Sequence, residues 1–176
     1  MKKTLEDLKY AFIKGNTNKL KRISNDSLDH AVITGDKKLI TVSLISYALY
    51  KMLTKHHYRH AKGWQQFSEV VIEHLERCIQ NPNLIEEALG EKLVKDIAKM
   101  EEQHGRFLGD LIEKAKVKQA SRAYALGLSL SSAIELTGAE RFKVYSYVGI
   151  TKIHEDTPSK GIADRYKYTK SILEGN

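Results

Sequence analysis

The stretch that decides the fold lies in the last third of the chain and reads KQASRAYALGLSLSSAIELTGAERFKVYSYVG, residues 118–149. Its small and apolar residues recur at helical spacing in three short runs. The first run ends at Gly127, Ser129 is placed to cap the second, and Gly138 permits a tight turn before the third. Two short helices joined at a glycine, with a third helix that keeps one polar face, predict a helix-turn-helix.

The segment 129–138, SLSSAIELTG, resembles the helix-turn-helix of small prokaryotic antitoxins and of related archaeal and bacterial DNA-binding regulators. The shared pattern is Ser-Leu, two variable residues, Ala, a small residue, Glu-Leu, a small residue and Gly, with Ile134 here in place of the first small residue. The resemblance covers about 30 of the 176 residues. It implies a DNA-binding regulator of bacterial or archaeal type, without enzymatic activity.

The charge of the chain is consistent with such a partner. Lys and Arg number 29 against 22 Asp and Glu, a formal net charge of +7, and an excess of this sign favours nucleic acid. No acidic residue stands between Glu113 and Glu135, a stretch that carries several basic ones. The candidate DNA-binding residues are Arg141, Lys143, Tyr145 and Ser146 on the third helix, which would reach base edges, and Lys114, Lys118 and Arg122 before it, which would reach phosphates.

Outward from this segment the whole chain has helical periodicity and only two prolines, so we predict an all-α protein. Residues 1–110 are predicted to form a helical bundle, a possible dimerisation module, and residues 111–176 the helix-turn-helix unit with a C-terminal helix at 159–173. Thr4 and Asp7 have the spacing of a capping box, and Asp36 is placed to cap the helix that follows Gly35. Gly90 is predicted to end a short helix, and 149–153 is a weak strand candidate.

The most apolar stretch, 39–50, is too short for a membrane span, which needs about 20 residues. We therefore expect a buried core helix, no membrane partner and, with no signal peptide at the N-terminus, a cytoplasmic protein. The residues expected to be nearly fully buried on this helix are Leu39, Ile40, Leu44, Ile45, Ala48 and Leu49.

No motif predicts catalysis, a cofactor or a metal. His56 with His60 and His74 with Cys78 are spaced like zinc ligands, but the two pairs do not converge along one helix or across a simple hairpin. Glu101 and His104 match only half of a di-iron signature. The alternative to a DNA-binding regulator is an all-helical scaffold whose C-terminal unit contacts another protein. In either case we expect a homo-oligomer.

Overall fold

The structure, a computed structural model, describes residues 1–102, 111–151 and Lys170. These residues are mostly helical and include no strand, which confirms the all-α prediction. The elements in chain order are α1 (Lys2–Ile13), α2 (Thr17–Thr34), α3 (Lys37–Thr54), α4 (His56–Arg59), α5 (Trp64–Gln80), a 3-10 turn (Pro82–Leu84), a π-helical stretch (Glu86–Leu93), α6 (Val94–Glu102), α7 (Leu111–Ala125), α8 (Leu130–Thr137) and α9 (Arg141–Thr151).

Several helix ends follow from local capping. Asp36 accepts a hydrogen bond from the backbone amide of Lys38, and Ser129 accepts one from that of Ser132, so both cap as predicted. The capping box at Thr4 is wrong, because α1 begins at Lys2 with Met1 at its N-cap and no side-chain cap. Asp7 binds instead to Lys19, whose Nζ lies 2.6 Å from its Oδ1.

The predicted break at Gly90 is also wrong. The chain remains helical from Glu86 through Leu93 and passes directly into α6. Gly90 packs against α3, where an added Cβ would meet Thr41 Cγ2 at 3.5 Å, and Thr41 donates a hydrogen bond to Glu86. A contact made in the tertiary structure therefore outweighs the low helix propensity of glycine.

The main core is formed by α1 to α5, the π-helical stretch and α6, and it also takes in Leu111 at the start of α7. Within one chain it buries Ile45, Ala48 and Leu49 of α3, as predicted. The prediction is wrong for Leu39 and Leu44, which are only half-buried and belong to a smaller cluster with Leu136 of α8.

A polar seam joins α7 to α2 and α3. Ser24 and Ser43 each donate a hydrogen bond to the other's carbonyl oxygen at 2.8 Å, and Gln119 donates to the Ser24 hydroxyl at 2.6 Å. One turn further along α7, Arg122 forms two parallel hydrogen bonds to Asp29, at 3.0 and 2.8 Å. The small serines let α2 and α3 approach closely, and α7 is held in one register across them.

Beyond the seam, α7 packs with α8 and α9 around a second small core of Val117, Ala120, Ala139, Val144 and Val148. Helix α7 thus contributes to both cores across the predicted boundary at residue 110. Gly138 ends α8 with φ of 63°, the left-handed turn that was predicted. Residues 149–151 are helical, so the strand candidate is wrong there, and 152–153 lie outside the described residues.

The predicted C-terminal helix, 159–173, also lies outside the described residues except for Lys170, which is helical. Among the helices that the structure does describe, none has both the length and the apolar character needed to cross a bilayer.

Candidate anion-binding cleft

A cleft of about 670 Å³ lies where the C-terminal end of α3 faces α7 and α9. We call it the lysine cleft. Its volume falls in the range typical of small-molecule sites, roughly 300–1,000 Å³. The residues that line it are Tyr47, Lys51, Lys55, Leu111, Lys114, Val117, Lys118, Phe142, Lys143, Ser146 and Tyr147.

Helix geometry explains why the lysines converge. Lys114 and Lys118 are four residues apart on α7, so both project from one helix face. Lys51 lies in the last turn of α3, and Lys55 follows that helix as its C-cap residue. The end of α3 also favours cations, because the carbonyl groups there carry partial negative charge. Lys143 joins them from the first turns of α9.

Two of these lysines already have fixed partners. Lys118 donates a hydrogen bond to the Tyr147 hydroxyl at 3.1 Å, and Lys143 lies 2.9 Å from the carboxylate of Glu140. The other three, Lys51, Lys55 and Lys114, form no ion pair with any acidic side chain of the described residues. Lys51 lies over the rings of Tyr47 and Tyr50, and Lys55 over that of Tyr58. The cleft therefore has excess positive charge.

The pKa of Lys55 reflects its burial and the lysines around it. Its burial lowers the pKa of its ammonium group, the nearby charges of Lys114 and Lys51 lower that pKa further, and Glu101 opposes them weakly. A pKa lowered by like charges means that the lysines repel one another within this cleft. A bound anion would relieve that repulsion.

Aromatic rings supply much of the remaining wall. Tyr47 comes from α3, and Phe142 and Tyr147 come from α9. Burial, followed by the proximity of Tyr147 and Tyr50, raises the pKa of Tyr47 to about 12. Tyr47 is therefore a neutral hydroxyl at physiological pH, and it adds no negative charge that would compete with a ligand.

A buried carboxylate holds the two long walls of the cleft together. Glu101 accepts a hydrogen bond from the Tyr58 hydroxyl at 3.1 Å through Oε1, and one from the Leu111 backbone amide at 3.3 Å through Oε2. Tyr58 lies on the short helix α4, which comes next after α3, and Leu111 begins α7. Glu101 thereby positions the end of α3 beside the start of α7.

The structure divides the predicted DNA-binding residues into three groups. Lys114, Lys118, Lys143 and Ser146 meet at the lysine cleft. Arg141 and Tyr145 are exposed on α9 but do not line it. Arg122 belongs to the seam: its guanidinium is engaged by Asp29, so we remove it from the phosphate-contacting set.

Sequence reasoning missed the contribution of α3. Tyr47 and Lys51 are four residues apart on α3, which is otherwise uncharged from Leu39 onward, and Lys55 follows as its C-cap residue. The four-residue interval places Tyr47 and Lys51 on one helix face, so a cationic, aromatic face was detectable. The sequence does not indicate which other helix this face of α3 packs beside.

The histidines within residues 1–102 form no comparable site. The rings of His56 and His60 stack on each other with centroids 3.8 Å apart, while His74 is buried on α5, 3.5 Å from an oxygen of Asp96. In the part of the chain that the structure describes, no three His, Cys, Asp or Glu side chains are grouped as metal ligands.

The chain matches no protein-family model, no curated protein and no solved structure. The chemistry of its own residues therefore has to indicate its function. Two surfaces stand out: the lysine cleft and the exposed face of α9 beside it.

Proposed function

We propose that the protein is a non-enzymatic DNA-binding regulator that presents α9 to the major groove. The observation that carries the proposal is the position of α9. It follows α8 after the Gly138 turn, packs on α7 through Val144 and Val148, and leaves Arg141, Lys143, Tyr145 and Ser146 exposed. A helix with one buried stripe and one polar face is the kind that enters a groove.

The basic residues beside α9 support the same partner. Lys114 and Lys118 of α7 line the same cleft as Lys143 and Ser146. Lysines beside a groove-binding helix contact phosphates, which contribute affinity without sequence preference, whereas residues on that helix read base edges. We therefore assign Arg141 to contacts with base edges and Lys114 to contacts with phosphates.

The test is a set of binding isotherms on random-sequence and genomic duplexes at about 50 and 200 mM salt. Arg141→Ala should relax sequence preference and weaken preferred duplexes by roughly 1–3 kcal/mol. Lys114→Gln should weaken all duplexes alike and reduce the salt slope by about one. Lys37→Gln is the matched control, because Lys37 is exposed at the opposite end of α3.

Absence of duplex binding at the lower salt concentration would contradict the proposal. Loss of binding with Lys114→Gln but not with Arg141→Ala would contradict the assignment of α9 as the reading helix. Nucleic acid would then be held only nonspecifically by the α7 lysines.

A second candidate function is an all-helical scaffold whose C-terminal unit contacts another protein. Phe142 favours it, because this large apolar side chain on α9 is 77% exposed and Tyr145 nearby is 49% exposed. Exposed aromatics are common at protein interfaces and contribute nothing to phosphate binding. Under this alternative Phe142→Ser would abolish partner binding, and no salt-dependent affinity for DNA would be found.

A further inference from the structure

From the lysine cleft we infer a binding site for a small nucleotide, an anion that joins a phosphate chain to a planar aromatic base. The inference names a different ligand from the proposed DNA binding and does not require it, although Lys114 serves in both. Three observations carry it: the concave shape of the cleft, its excess positive charge and its aromatic wall.

Shape distinguishes this site from a surface for duplex DNA. The cleft is a recess between three helices with a volume of about 670 Å³, and Leu111 and Val117 form part of its lining. A duplex backbone is convex, so it would leave the apolar part of the recess unfilled even where its phosphates contact the lysines. A compact molecule with an apolar part fills it, and small-molecule sites are typically apolar recesses with a few polar groups.

Charge limits the ligand to one with several negative groups. Lys51 on α3, Lys55 at its C-cap and Lys114 on α7 line one recess. They form no ion pair with an acidic side chain of the described residues, and the attraction of Glu101 for Lys55 is smaller than the repulsion from the two other lysines. A single carboxylate, such as that of a fatty acid, would neutralise only one of them. A phosphate chain carries several negative charges, more than one of them on its terminal group. Its oxygens also accept hydrogen bonds from the lysine ammonium groups.

The aromatic wall selects the rest of the molecule. Tyr47, Phe142 and Tyr147 line the same recess from two sides, α3 and α9. Flat heterocycles stack on such rings, and stacking of a base is worth roughly 1–3 kcal/mol. An inorganic polyphosphate would use the lysines but not these rings, so a molecule with both parts is the better fit.

The experiment is calorimetric titration of the full-length protein with ATP, sodium tripolyphosphate and adenosine as separate probes. ATP should bind at least tenfold more tightly than tripolyphosphate, and adenosine should bind more weakly still. Lys55→Gln and Lys114→Gln should each weaken ATP binding at least fivefold, while Lys37→Gln leaves it unchanged. Tyr47→Leu should reduce the preference for ATP over tripolyphosphate, with circular dichroism to verify that the variant is folded.

Several results would overturn the inference. Equal affinity for ATP and tripolyphosphate would mean that the aromatic wall does not bind the base. Unchanged ATP binding in both lysine variants would mean that ATP binds outside the cleft. A short single-stranded oligonucleotide that displaces ATP and binds tenfold more tightly would show that the cleft holds a nucleic acid strand, not a free nucleotide. These titrations contain no duplex DNA, so their failure is distinct from failure of the regulator proposal.

Discussion

At the scale of single residues, Lys55 shows most directly what the fold does to a side chain. As a free residue it would be an ordinary lysine. In the folded chain, burial lowers the pKa of its ammonium group, and the charges of Lys114 and Lys51 lower it further. A cation that is destabilised in this way binds anions more readily, because an anion restores the electrostatic balance that folding removed.

This leads to a prediction about one titration. Lys114→Gln removes a like charge, so the pKa of Lys55 should rise toward its ordinary value, as followed by NMR of the lysine side-chain signals. Lys37→Gln should leave that pKa unchanged. If Lys114→Gln left the Lys55 titration where it was, the two lysines would not share a site.

At the scale of elements, α7 is the helix on which the site depends. It forms one wall of the lysine cleft, contributes to both cores and is attached to α2 by the hydrogen bonds of Gln119 and Arg122. Because these hydrogen bonds are directional, they fix the rotation of α7 about its own axis. With that rotation fixed, Lys114 and Lys118 face the cleft.

We predict that Arg122→Met lowers the free energy of unfolding by about 1–3 kcal/mol, since the nearly buried carboxylate of Asp29 loses two charge-assisted hydrogen bonds. Chemical denaturation measures the change. Arg22→Met is the control: Arg22 and Asp26 form a 3.5 Å pair whose side chains are 82% and 58% exposed, and such pairs contribute well under about 1 kcal/mol. Equal losses in the two variants would mean that the seam does not stabilise α7.

The turn between α8 and α9 gives a second prediction at this scale. Gly138→Ala should cost about 1 kcal/mol or slightly more, because φ of 63° disfavours any side chain even though no atom lies within 4 Å of the added Cβ. Gly149→Ala also adds a methyl group in open space, but within α9 and without a positive φ, so it should be neutral or stabilising. Thermal melts of both variants test this, and equal effects would argue against a strained turn.

At the scale of the whole molecule, three weakly acidic groups link stability to pH: Tyr58 and Cys78, which are buried, and Tyr47, which is partly buried. Burial is the main cause that raises the pKa of Tyr47 to about 12 and that of Cys78 to about 11, and it also raises the pKa of Tyr58, together with the charge of Glu101. Each of these groups is held neutral in the fold. The stability that each group contributes is fully present below its pKa in the unfolded chain, which is about 10 for tyrosine and 8.5 for cysteine. That stability is lost as the pH rises toward the higher pKa of the folded state.

We therefore predict that the free energy of unfolding falls as pH increases from about 9 to 11. Lys55 has the opposite effect on the free energy of unfolding. Its pKa is lowered in the folded state, so its deprotonation at high pH relieves repulsion there and stabilises the fold. Comparison with Tyr47→Phe separates the contributions, because this variant should lose stability less steeply over the same range. Denaturation curves at several pH values provide the measurement, and identical slopes for the two proteins would contradict the assignment to Tyr47.

Local physics was sufficient for much of the fold. Helical periodicity predicted an all-α chain, Asp36 and Ser129 were recognisable as caps, and Gly138 as the residue that turns the chain after α8. These features depend on residues within one or two turns of each other. Local rules failed at Thr4 and at Gly90, where side chains of neighbouring helices compete with the local preference.

The amino-acid sequence by itself determined the helical class, the glycine turn and the basic, partly exposed character of α9. Only the tertiary structure decided that Lys51 and Lys55 meet Lys114 in one cleft, and that Arg122 serves the seam with Asp29 instead of facing solvent. The physical reason is distance along the chain. Pairings between helices depend on how whole faces pack, and a helical pattern specifies which residues share a face but not which other face covers it.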